Sequence, residues 1–149
     1  MHDNEKQREM VALFTRIAVE RLGLQLHKIS VNFMQIRNPE GISAKTAIVC
    51  GVFYIKGGDQ NIQLIINESI RGELQAVTIC HELIHVNQTV AGRFKTLDDG
   101  WLWEGCAYPF DTPYQDRPWE IEAEKEEKIL FDQVFKEFEQ LQCEMRESE

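Results

Sequence analysis

The stretch "TICHELIHVNQ", residues 78–88, decides how the rest of the chain is arranged. At about 100° per residue, Ile70, Leu74, Val77, Ile84 and His85 fall within about 60° of His81. The opposite side carries Ala76, Ile79, Leu83 and Val86. A helix this apolar all round is expected inside the molecule. Its two histidines point the same way, four residues apart, and buried imidazoles need partners. Either they share one metal ion or they bond to backbone carbonyls. Glu82, about 100° further round, reaches a water on such a metal without being a ligand.

Working outward, residues 4–22 carry Met10, Leu13, Ile17 and Leu22 at helical spacing, and Gly23 ends that helix. Residues 28–36 and 46–55 read as strands, with a turn at "NPEG" (38–41) between them. "KGGDQ" (56–60) reads as a hairpin turn into a third strand, 61–68, either an ordinary sheet strand or an edge that pairs an extended peptide. The histidine helix is expected from Ser69 to Thr89, with Gly92 after it. Residues 92–117 read as a long irregular excursion, and loops of that length in compact domains are usually functional. A last helix is expected from Pro118 to Met145. The expected fold is therefore α+β in one domain, 1–149. It comprises an N-terminal helix, a three-stranded mainly antiparallel sheet, a buried active-site helix, a long loop and a C-terminal helix.

Composition narrows the function classes. The net charge of −9 argues against a nucleic-acid partner, which calls for a basic surface. No stretch reads as a membrane span or an apolar signal segment, so the expected location is cytoplasmic. Cys50, Cys80, Cys106 and Cys143 show no paired spacing, which argues against a cysteine zinc ribbon.

"HELIH" on a buried helix, after a helix and three strands, resembles the zincin metallopeptidases. The resemblance implies Zn²⁺ held by His81 and His85, with Glu82 as general base. A catalytic zinc takes three protein ligands and keeps one position open. No histidine lies downstream of His85, so the branches that use a third histidine do not fit. An aspartate branch would need Asp98, Asp99, Asp111 or Asp116 without its usual motif. The gluzincin branch leaves two glutamates. Glu104 sits in "WLWEGCAY", similar to the W-L-x-E-G-x-A segment of gluzincin aminopeptidases. Glu120 sits in "RPWEIEAE", similar to the E-x-x-A-D/N pattern of small gluzincins, where an acid four residues on braces a histidine. Pro109 and Pro113 would break the helix that Glu104 needs. On the last helix, Ala123, Leu130, Phe131, Val134, Phe135, Phe138 and Leu141 lie within about 80° of Glu120, so Glu120 leaves from the core-facing stripe. Glu122, at about 200°, reads as a solvated charge, whereas Glu124 and Glu127 face inward and either would orient a ligating histidine. Residues 78–127 also resemble a group of small phage- and prophage-encoded metallopeptidases with a P-W-E-x-E-A helix.

The expected activity is peptide-bond hydrolysis of narrow specificity on a peptide or protein substrate, or with a protein partner completing the cleft. Tyr108 and Tyr114 are candidate oxyanion donors, or else pack with Trp101, Trp103 and Trp119 as an aromatic cover. The competing expectation is a non-catalytic metal-binding interaction module that retains the fold.

Overall fold

The computed structural model describes residues 2–25, 28–34, 48–54, 60–68 and 72–147. The architecture is α+β. Helix α1 (His2–Arg21) leads to strands β1 (Lys28–Met34), β2 (Ile48–Tyr54) and β3 (Gln60–Asn67), then to α2 (Glu73–Val90). Strands β4 (Phe94–Thr96), β5 (Gly100–Trp103) and β6 (Cys106–Pro109) follow, and a one-turn 3-10 helix, Tyr114–Asp116, precedes α3 (Pro118–Glu147). The turn expected at 38–41 lies outside the described residues, as does all of the turn expected at 56–60 except Gln60, which begins β3.

The first sheet has the order β1-β3-β2, with β1 parallel and β2 antiparallel to β3. β1–β3 is the one parallel ladder among the described residues. Strand β3 is therefore central, paired from Lys28↔Asn61 to Met34↔Asn67 on one side and from Ile48↔Ile66 to Tyr54↔Gln60 on the other. Of the two readings of this strand, the ordinary sheet strand holds and the peptide-pairing edge does not: with both sides of its backbone occupied, β3 has no free ladder for a peptide. Alternation along one strand reports its faces and says nothing about its neighbours.

Leu64 and Ile66 of β3 join a core built mainly by the three helices. Phe14, Ile17 and Ala18 from α1 meet Ile79, Leu83 and Val86 from α2 and Leu130, Phe131 and Val134 from α3. Helix α2 lies between the sheet and α3, the placement expected of an apolar helix. Its first turn is an exception. Gly72, at φ 76, stands at the N-cap, so α2 begins at Glu73 instead of near Ser69, and Leu74 is 52% exposed. Phe135, expected on the inner stripe of α3, is also largely exposed and stacks on Phe131 at 5.5 Å.

Both α1 and α2 end in the same way. Leu24 N–H donates to Val19 O at 2.9 Å and Gly23 N–H to Glu20 O at 3.1 Å, and Arg93 and Gly92 repeat the pattern with Gln88 O and Thr89 O. These are Schellman caps, which need a left-handed residue that glycine supplies without strain.

The expected irregular excursion over 92–117 is a correction. It contains a second, antiparallel sheet, β4-β5-β6. Its strands hold three or four residues each, too short for alternation to register. Glu104 and Gly105, both at positive φ, form the two-residue turn between β5 and β6. Gly100 is a packing requirement, because a Cβ there would collide with the Tyr108 carbonyl oxygen.

Candidate metal centre

Helix α2 supplies His81 and His85 one turn apart, so both rings project from one side toward α3. What brings Glu120 opposite them is Trp119. Its ring, 4% exposed, sits among Phe94, Trp101, Trp103 and Tyr108 of the second sheet at centroid distances of 5.0–6.3 Å. The sheet thus anchors the first turn of α3, and the next side chain faces α2.

Glu120 reaches both histidines. One oxygen lies 2.7 Å from His85 Nε2 and the other 3.2 Å from His81 Nε2, while the two Nε2 atoms are 3.1 Å apart. Atoms held at zinc-ligand distances in a tetrahedron stand about 3.3 Å from each other, and the two Nε2 atoms are close to that spacing, with one Glu120 oxygen beside each. Among the described residues, His81, His85 and Glu120 are the one group placed to hold a metal ion.

The other ring nitrogens are braced. His81 Nδ1 lies 2.7 Å from Glu127 Oε2, and His85 Nδ1 lies 2.9 Å from Gln88 Oε1. A carboxylate only accepts, so His81 Nδ1 carries a hydrogen and its Nε2 is the nitrogen turned to the centre. Two imidazole nitrogens and a carboxylate oxygen aimed at one point need a cation or protons between them. This donor set, N,N,O with braced imidazoles, fits a divalent metal.

The electrostatics agree. Burial disfavours charge on His81, but its hydrogen bonds to Glu120 and Glu127 outweigh it and push the pKa up to about 9. Burial would lift Glu120, yet His81, His85 and the Tyr114 hydroxyl hold it well below the usual carboxylate range. His85 is raised against its burial by Glu120 and Gln88. Burial raises Glu82, with His85 and His81 pulling the other way. Cys80, beside His81 in the chain, is buried with its thiol pushed up to about 12, so it stays neutral in the metal-free protein.

No known protein family, curated protein or solved structure matches this chain. The centre therefore rests on its own geometry.

The competing third ligands are elsewhere. Glu104 is held in the β5–β6 turn, 51% exposed, and accepts from Arg93 at 2.6 Å. The turn that its neighbour Gly105 makes possible carries it away from the histidines. Asp98, Asp99, Asp111 and Asp116 are exposed. Of the two inward acids expected to orient a histidine, Glu124 and Glu127, it is Glu127 that braces His81. Glu122 is a further correction. Instead of being a free solvated charge, it takes both forks of Arg93 at 2.8 and 2.6 Å and a bond from Gln88 at 3.2 Å. Tyr108 belongs to the aromatic cover, 5.5 Å from Trp119, whereas Tyr114 donates to Glu120. Gln88 escaped the sequence reading. The available signal was its place three residues after His85, on the same side of the helix.

Among the described residues, no helix is long and apolar enough to cross a membrane.

Proposed function

We propose that the chain is a zinc-dependent metallopeptidase whose ligands are His81, His85 and Glu120, acting on a peptide or protein segment. The observation that supports this most is the convergence of two braced Nε2 atoms and one carboxylate, with Glu82 next to the first ligand on the same helix. A zinc ion held there supplies Lewis acidity and lowers the pKa of a water to about 7. Glu82 is the general base: it takes the proton of the attacking water and delivers it to the departing amine as the C–N bond breaks. Its burial, which favours the protonated form, suits a carboxylate that must accept that proton. Tyr114, half exposed and donating to Glu120 beside the histidines, is the candidate oxyanion donor in this reading.

The test is cleavage of a mixed peptide library by the protein loaded with one equivalent of zinc, beside Glu82→Gln. Cleavage by the parent alone, with zinc bound equally by both, is the expected result. Equal zinc binding with no cleavage by either would favour the non-catalytic metal-binding module instead.

A further inference from the structure

We propose that Gln88 is a positioning residue for the metal centre, holding His85 as its Nδ1–H tautomer so that Nε2 is the ligand atom. The inference rests on the metal-site reading above and adds to it the device that orients the second histidine.

The argument is one of hydrogen-bond supply. Gln88 is 1% exposed, so both ends of its amide need partners inside the protein. One end meets the Trp119 carbonyl oxygen at 3.1 Å and Glu122 Oε1 at 3.2 Å. Both are acceptors only, so the atom facing them is the amide nitrogen. The amide oxygen then faces His85 Nδ1 at 2.9 Å. An oxygen that only accepts leaves Nδ1 one role, that of donor. Nδ1 bears the hydrogen, and Nε2 is the ring nitrogen turned to Glu120 and His81, free to bind a metal once any proton shared with Glu120 has left.

The orientation of Gln88 is itself held from outside. Arg93 grips Glu122 through two bonds and reaches Glu104 with the rest of its guanidinium, lying 4.7 Å over the Trp103 ring. Arg93 is placed there by the cap of α2, where its N–H donates to the Gln88 carbonyl at 3.0 Å. A chain of bonds therefore runs from Glu104 in the second sheet through Arg93, Glu122 and Gln88 to His85. His81 is braced by a carboxylate, whereas His85 is braced by a neutral amide whose direction the second sheet enforces.

The test uses the full chain loaded with zinc. Two-bond proton–nitrogen correlation spectra report which nitrogen of each histidine carries hydrogen, and competition with a chromophoric chelator reports zinc affinity. The parent is expected to show His85 with Nδ1–H and a zinc-bound Nε2. Gln88→Leu is expected to bind zinc about 10- to 100-fold more weakly, with the His85 Nδ1–H signal lost to exchange and that of His81 retained. A parent His85 coordinating through Nδ1 overturns the proposal, whether or not the variant folds. So does a Gln88→Leu protein with zinc affinity within about twofold of the parent. A parent that binds zinc at neither histidine removes the metal reading itself, and this inference with it.

Discussion

Glu127 Oε2 lies 2.7 Å from His81 Nδ1, about two helical turns along α3 from the Glu120 carboxylate that meets the opposite side of the same ring. One imidazole is thus held between two acids of a single helix. Glu127→Gln keeps the shape but removes the charge. The expected result is zinc affinity lower by about 10-fold or more, measured by chelator competition, with the fold intact by circular dichroism. Unchanged affinity would show that Glu127 does not act through His81.

Glu120 and Glu104 are separated by a direct comparison. Glu120→Ala removes a ligand and is expected to weaken zinc binding beyond the roughly 100-fold associated with outer partners. Glu104→Ala leaves all three ligands and breaks two exposed bonds with Arg93, so its affinity should stay within about 10-fold of the parent. The reverse order of the two effects would move the centre to Glu104.

Trp119→Ala should be among the most destabilising single changes, by about 3–5 kcal/mol in urea unfolding. It empties the space that α3 fills in the second sheet. Because Trp119 also sets where Glu120 stands, zinc affinity should fall in the population that remains folded. A variant with parent-like affinity would mean that α3 is registered by its other contacts.

The metal-free protein should lose stability on the alkaline side. His81 is raised from 6.5 to about 9, so its stabilising contribution is complete below about 6.5 and disappears as pH rises through 9. Glu120 is lowered, so its contribution is present above the ordinary carboxylate value and disappears in acid. Zinc requires the neutral ring and gains as those protons leave. The thermal midpoint in chelator should therefore decline between pH 6.5 and about 9.5, while the upward shift caused by zinc grows. Calorimetry at pH 7 in buffers of different ionisation enthalpy should register proton release on zinc binding. A binding heat independent of buffer would contradict the protonated His81.

The α+β order, the α2 and α3 ranges to within a few residues, and the ligand candidates His81, His85 and Glu120 were legible in the sequence. These rest on local rules: helical spacing, glycine caps and the direction of side chains one turn apart. Prolines and helix facing also point to Glu120 over Glu104, and the structure gathers Glu120 with the two histidines while Glu104 sits in a two-residue turn. Tertiary structure alone decided the rest. The central place of β3 depends on which strands lie beside it, and no single strand encodes its neighbours. The second sheet depends on Trp119 entering it, because strands as short as β4 gain stability only from such packing. Glu127 at His81 follows from how α2 and α3 lie against each other, and so does the direction of the Gln88 amide at His85, which Trp119 and Glu122 of α3 set. Local periodicity gives the face a side chain leaves from, and only the packing of two helices gives the atom it meets.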